Sequence, residues 1–96
     1  MNKVEAKEIL GQELSRLQEE SFDNLQKFIK SPEVVERCGR IGLSYQIEIQ
    51  VFWDNPHDAG GDLRIIASID DGGFFSALFP LSGDFIMDSD GHIKGD

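Results

Sequence analysis

Disulfide bonds, long apolar runs and a signal peptide are all missing from this sequence of 96 residues. A single cysteine, Cys38, excludes an intrachain disulfide and is typical of a reducing compartment. No apolar run approaches the roughly 18–20 residues that a membrane-spanning helix needs. The N-terminal residues MNKVEAKEIL are charged and lack the apolar stretch of a signal peptide. These absences predict a cytoplasmic protein without a membrane partner.

Positive charge is nearly missing from the second half of the chain. Residues 41–96 hold two basic residues, Arg64 and Lys94, against ten acidic ones, whereas residues 1–40 hold seven against eight. The two segments therefore carry charges of −8 and −1, which together make the net charge of −9. Such a field repels nucleic acids and anionic membranes and favours basic protein surfaces or cations. We expect no nucleic-acid partner.

The length fits one domain over residues 1–96, with a helical segment over residues 1–40 and a β-meander over residues 41–96. One buried stripe at helical spacing is formed by Val4, Ile9, Leu10, Leu14, Leu17, Leu25, Phe28 and Ile29. An unbroken helix over residues 3–30 would span about 42 Å. It therefore either overhangs this small domain or breaks, and Ser21 is the predicted break because serine is a favoured N-cap.

A second helix start is predicted at Ser31-Pro32-Glu33, because proline is favoured at the first position of a helix. This reading predicts a short helical turn through Val34, Val35 and Cys38. Cys38 lies between Arg37 and Arg40, and neighbouring positive charge is typical of reactive thiols. We interpret it instead as a small buried residue at a helix end.

From Leu43 the apolar spacing changes to a period of two, which predicts a strand from Leu43 to Trp53. Asp, Asn, Pro and Gly predict a loop over residues 54–62, and alternation returns in a second strand over residues 63–70. The remaining expectations are a hairpin turn at Asp71-Gly72-Gly73, a third strand over Phe74–Phe79, a short fourth strand over Asp84–Asp88 and a return pairing of residues 92–94.

The predicted fold class is α+β: an N-terminal helix, long or broken near Ser21, packed on a three- or four-stranded antiparallel β-meander. The helix stripe is expected to meet the apolar face formed by Tyr45, Ile47, Ile49, Ile65 and Ile69.

The opposite face of the sheet is predicted to carry an apolar interface patch formed by Phe52, Ile66, Phe75 and Phe79. The register across Asp71-Gly72-Gly73 stays open, because a two-residue loop turns Phe75 and Phe79 outward and a three-residue loop turns Phe74 and Leu78 outward. An exposed patch of this kind indicates an interface, here a homodimer. The alternative is that residues 32–38 or the C-terminal tail cover it.

No enzyme or metal motif is complete. Asp84, Asp88 and Asp90-Gly91 match part of a calcium loop, but Ile86 occupies the first ligand position and no downstream Glu follows. His57 lies near Asp58 and Asp62, a set that could bind a cation or act as an acid–base pair, yet these residues are equally typical of a hairpin loop. We therefore predict no catalytic residue, no metal and no cofactor.

Three segments, YQIEIQVFWD, GGDLRIIASIDDGG and PLSGDFIMDSDG, resemble those of a group of small bacterial α+β proteins with no established activity. The resemblance spans Tyr45 to Gly95 and is strongest at Gly60-Gly61-Asp62 and at residues 69–73. It implies a bacterial origin and a single domain, and it implies no catalytic residue.

Two functions from different classes follow. The first is a non-catalytic protein-binding module that uses an acidic loop face against a basic partner: Asp54, Asp58, Asp62, Asp70 and Asp71. An inhibitor or immunity protein for a basic toxin or nuclease would have this size and charge. The alternative is a small-ligand-binding protein or enzyme whose site lies between helix and sheet, rimmed by the 54–62 loop.

Overall fold

The computed structural model describes residues 2–40, 42–72 and 81–94. It contains helices α1 (Lys3–Gln18) and α2 (Phe22–Gln26), a 3₁₀ turn (Lys27–Ile29), and strands β1 (Glu33–Cys38), β2 (Ser44–Trp53), β3 (Leu63–Asp70), β4 (Leu81–Met87) and β5 (Ile93–Lys94). The strands form one antiparallel sheet in the order β1-β2-β3-β4-β5. The α+β class, with an N-terminal helix on an antiparallel meander, is confirmed.

The helical segment breaks near Ser21, as predicted. Helix α1 ends at Gln18, and the Ser21 hydroxyl accepts a hydrogen bond from the Asn24 N–H at 3.1 Å, which caps α2. The break lets α2 turn back along the sheet, where the Phe22 ring lies 6.3 Å from the ring of Trp53. The chain therefore needs no overhanging helix.

The helical turn predicted for residues 33–38 is wrong, because this segment is strand β1. It pairs antiparallel with β2, with Val35 opposite Ile47. The adjacent β-branched residues Val34 and Val35 favour a strand once a neighbouring edge is available. Consequently the described residues form a sheet of five strands rather than three or four, and Cys38 is exposed on β1 rather than buried at a helix end. Residues 33–38 lie at the sheet edge and do not cover its outer face.

The two central strands match the predicted alternation. In β2 and β3 every second residue is buried, and Ile47 lies opposite Ile69. Leu81, rather than Phe74 or Phe75, is the residue described opposite Ile69 on the other side of β3. The partner of β3 is therefore β4, while the predicted strand 74–79 and its register lie outside the described residues.

The last two strands differ from the prediction in length and agree with it in pairing. β4 begins at Leu81, earlier than the predicted Asp84, and β5 pairs back with Lys94 opposite Ile86, as residues 92–94 were expected to do.

The core lies between the helices and one face of the sheet, here called the inner face. It contains Ala6, Leu10, Leu17, Leu25, Tyr45, Ile47, Ile49, Val51, Leu63, Ile65, Ala67, Ile69, Phe85 and Met87. Helix α1 approaches β4 closely at Gly83, where a Cβ would lie 2.6 Å from Cδ1 of Leu14. The predicted contact between helix stripe and sheet is confirmed except at Val4, which is 70% exposed and does not belong to the core. Of the described helices, none is long and apolar enough to cross a membrane.

Candidate functional site

Two loops bring five aspartates to the same end of the sheet. Trp53 at the end of β2 lies opposite Leu63, which lies opposite Met87 at the end of β4, so the β2–β3 and β4–β5 loops leave the sheet side by side. Backbone N–H groups of Asp54 and Asp88 donate across the necks of these loops at 2.9 Å. We call this surface the acidic end, and it consists of Asp54, Asp58, Asp62, Asp88 and Asp90.

The only two basic residues of the second half lie beside these loops. Arg64 donates to Asp54 at 2.9 Å and to Asp84 at 2.5 Å, and Lys94 donates to Asp62 at 2.8 Å. The hydrogen bond with Asp54 raises the pKa of Arg64, and the bond with Asp62 raises the pKa of Lys94. Both cations therefore stay charged and hold carboxylates in fixed positions.

Three carboxylates of the acidic end form no ion pair with Arg64 or Lys94. Within residues 2–40, 42–72 and 81–94, no lysine or arginine forms an ion pair with Asp58, Asp88 or Asp90. Asp88 accepts backbone N–H bonds from Asp90 and His92 at 3.0 Å, and His92 lies 3.9 Å from its other oxygen. The centre of the acidic end is therefore neutralised by ion pairs, whereas in the described part of the chain Lys94 acts on Asp88 only through a longer-range attraction.

Asp70 and Asp71 do not belong to this surface. They follow the far end of β3, and a strand of eight residues separates its ends by about 23 Å at 3.3 Å per residue. Asp70 accepts the Gly72 N–H at 2.8 Å, as turn residues commonly do. The five residues predicted as one acidic face thus form two separate groups, because β3 runs between them.

A cleft of about 450 Å³ opens at the acidic end. It is lined by Gln18, Asp54, Asp62, Arg64, Asp84, Phe85, Ile86, Ile93 and Lys94. Its lining combines three carboxylates, two cations paired with them and three apolar side chains, and the 54–62 loop contributes part of its rim. His57 and Asp58 are exposed and do not line it. A cleft therefore lies beside the 54–62 loop, and His57 is not among the residues that line it.

The outer face of the sheet carries part of the predicted interface patch. Phe52 is 40% exposed and Ile66 is partly buried, while Phe75 and Phe79 lie outside the described residues. Arg64 lies directly between Phe52 on β2 and Ile86 on β4. Ile86 extends this surface and was not predicted, because the register of β4 is set by pairing and not by local sequence. The described patch is mixed rather than purely apolar.

Asp88, Asp90 and His92 form a group whose side-chain atoms are of the kinds that bind metal ions. Their ligand atoms lie within 4.8 Å of one another, and Asp90 and His92 are exposed. One oxygen of Asp88 already accepts two backbone hydrogen bonds. That pattern is typical of a turn in which Asp bonds its own backbone, as the sequence suggests.

Sequence reasoning missed a buried carboxylate at the other end of α1. Glu5 is 5% exposed, and its two oxygens accept hydrogen bonds from the Tyr45 hydroxyl at 2.9 Å and from the Arg40 N–H at 2.8 Å. At Gly39 a Cβ would lie 2.9 Å from both the Glu5 Cδ and the Tyr45 ring. The i,i+4 spacing of Glu5 with Ile9 and of Glu13 with Leu17 could have indicated that both glutamates face the sheet.

The Glu5–Tyr45 pair makes stability depend on pH at both extremes. Hydrogen bonding by the Arg40 N–H and then by Tyr45 lowers the pKa of Glu5, whereas burial and then the contact with Glu5 raise the pKa of Tyr45. Glu5 therefore contributes stability above its unfolded pKa of about 4.3 that is lost as pH falls through its folded pKa. Tyr45 binds its proton more tightly when folded, so stability falls as pH rises above about 10.

We expect the stability of the Tyr45→Phe variant not to show the fall at alkaline pH that Tyr45 causes in the wild type. The measurement is urea denaturation between pH 7 and pH 11, with the wild type compared at each pH. Equal alkaline declines in both proteins would contradict this assignment.

Comparison with known proteins gives no relative: no protein-family model, no curated protein and no solved structure matches the chain. The resemblance of residues 45–95 to small bacterial proteins stays a prediction. The functional interpretation therefore depends on the chemistry of the acidic end and of its cleft.

Proposed function

We propose that the protein is a non-catalytic binding module that presents its acidic end to a basic protein partner, as an inhibitor or immunity-type protein would. The observation that carries the proposal is the grouping of Asp58, Asp88 and Asp90 at one end of the sheet without a lysine or arginine partner in the described chain. Charges of one sign on one surface speed association with an oppositely charged partner and exclude other partners.

The cleft supplies a place for a basic side chain of that partner. Ile86 and Ile93 offer an apolar floor for an aliphatic stem, and the neighbouring carboxylates would receive its charged head. Arg64 and Lys94 hold those carboxylates in hydrogen bonds before the partner arrives, which reduces the side-chain ordering that binding must otherwise provide. Arginine fits this role best because its planar group pairs with two carboxylate oxygens at once.

The test is purification of tagged protein from its own host at low and at high salt, with bound proteins identified by mass spectrometry. We expect a basic protein that is retained at low salt and released at high salt, because exposed charges are screened. The variant D58N/D88N/D90N is expected to recover about tenfold less of this basic protein than the wild type, which corresponds to about 1.4 kcal/mol of binding free energy. The matched control E36Q/E48Q/D70N removes the same charge from the outer face, away from the acidic end, and is expected to recover as much as the wild type.

Equal retention by both triple variants would overturn the role of the acidic end. Failure to recover any basic protein at low salt would overturn the inhibitor-type function itself.

Self-association through the outer face is part of the proposed function. What supports it is the apolar group of Phe52, Ile66 and Ile86, since the buried core of an interface is more apolar than the rest of a protein surface.

The alternative function is binding or conversion of a small molecule in the cleft. It is favoured by the cleft volume of about 450 Å³, which lies within the usual range of roughly 300–1,000 Å³ for ligand sites. In the same purification, a small molecule released from the wild type and from D58N/D88N/D90N, but not from Ile86→Trp, would favour this alternative over the protein partner.

A further inference from the structure

Strand β1 is an open edge of the sheet. It is the first strand in the order β1-β2-β3-β4-β5, and within the described ranges no strand pairs with its other side. Its side chains from Glu36 to Cys38 are exposed, and Val34 is 60% exposed. An edge strand with free N–H and C=O groups is a template on which another strand can pair.

The hydrogen bonds that close the β1–β2 hairpin show which groups face outward. The Gly39 N–H donates to the Leu43 C=O at 2.6 Å, so Gly39 points toward β2. The backbone N–H and C=O groups of successive residues point to opposite sides of a strand. Those of Arg37 and Val35 therefore also face β2, whereas those of Val34, Glu36 and Cys38 face outward. The Glu36 C=O indeed accepts a hydrogen bond from the Arg37 guanidinium at 2.8 Å instead.

A second copy of this chain can pair with β1 in two centred registers that keep both inner faces on the same side. In the first, Val34 lies opposite Glu36 of the second copy, and each Glu33 lies opposite an Arg37. In the second, Glu36 lies opposite Glu36. Opposite charges across a strand pair stabilise it and like charges destabilise it, so the first register is selected.

We propose that β1 pairs antiparallel with β1 of a second copy in the first register, with Val35 on the two-fold axis, joining two five-stranded sheets into one of ten strands. This surface is distinct from the acidic end and from the outer face, and the inference does not depend on the proposed function. Arg37 leaves the Glu36 C=O to Val34 of the second copy, and its guanidinium, 42% exposed beside Glu13, remains accessible to the incoming Glu33. A two-fold contact that repeats each bond twice is the commonest arrangement in homodimers.

The register is tested with single-cysteine variants in a Cys38→Ser background. In the proposed register Val35 faces Val35 in a non-hydrogen-bonded pair, with Cα atoms about 4.5 Å apart, which a disulfide can bridge. We expect Val35→Cys to form a covalent dimer under mild oxidation and Glu36→Cys to remain largely monomeric. Preferential cross-linking of Glu36→Cys would overturn the register.

The edge itself is tested without a cysteine by sedimentation of the otherwise unchanged protein. Raising the concentration is expected to shift the mass from 10.7 kDa to twice that value. Val34→Pro removes an outward N–H that β2 does not use and is expected to abolish the shift, while Val34→Thr keeps it. A wild type that stays monomeric at millimolar concentration, or a Val34→Pro variant that dimerises equally, would overturn the proposal. If Phe52→Lys abolished the dimer and Val34→Pro kept it, the dimer would instead form through the outer face.

Discussion

Replacing Gly39 with alanine is expected to lower the free energy of unfolding by about 3 kcal/mol, the upper part of the range for forcing atoms into a packed site. The new methyl group would meet the Glu5 carboxylate and the Tyr45 ring. The carboxylate cannot move away without breaking its bonds to the Tyr45 hydroxyl and the Arg40 N–H. A buried carboxylate without partners is costly, so both responses destabilise the fold. Urea denaturation at pH 7 measures the change.

Gly11→Ala is the matched control for this variant. Gly11 lies on the exposed side of α1, and a Cβ there would meet nothing within 4 Å. Alanine at an exposed helix position is expected to raise stability by roughly 0.5–1 kcal/mol. The two Gly→Ala changes should therefore have opposite signs. If they changed stability equally, Gly39 would not be explained by its contact with Glu5.

Replacing Glu13 with alanine is expected to lower the free energy of unfolding by about 2 kcal/mol. Its side chain is 3% exposed and is shared by Arg16 on the same helix and by Arg37 on β1, where the bond is 2.9 Å. Breaking a fully buried ion pair costs about 3–5 kcal/mol. Here the two arginines are 45% and 42% exposed, so water compensates part of the loss.

The control for Glu13 is the exposed ion pair between Glu8, on the same helix, and Arg40, which follows β1. Their atoms are 2.7 Å apart, but the side chains are 48% and 75% exposed. Exposed pairs contribute roughly 0–1 kcal/mol, so Glu8→Ala is expected to change little. A Glu8 effect as large as that of Glu13 would mean that burial does not determine the value of these contacts. Both variants are compared by urea denaturation.

The elements that sequence predicts well carry their signal locally. Strand β2 alternates polar and apolar residues from Ser44 to Val51, and the N-cap at Ser21 depends only on the next helical turn. The prediction of a helical turn for residues 33–38 was wrong because Ser31-Pro32-Glu33 is also typical of a helix start. Pairing with β2 makes this segment a strand, and no local sequence pattern encodes that contact.

The acidic end follows the same division. Sequence places Asp54, Asp58 and Asp62 in one loop, because Asp and Gly punctuate the segment. It cannot show that Lys94 reaches Asp62 across 32 positions, nor that Asp70 lies at the opposite end. These facts depend on strand direction and register, which are set by pairing between distant segments.

The ring contact between Phe22 and Trp53 gives the molecule an internal reporter. Trp53 is the only tryptophan in the chain, it is partly buried, and it directly precedes the first aspartate of the acidic end. As the last residue of β2, it lies between the start of α2 and the beginning of the charged loop. The emission of one natural fluorophore is therefore positioned to register both the melting of the helical layer and the arrival of a ligand at the loop, without any attached label.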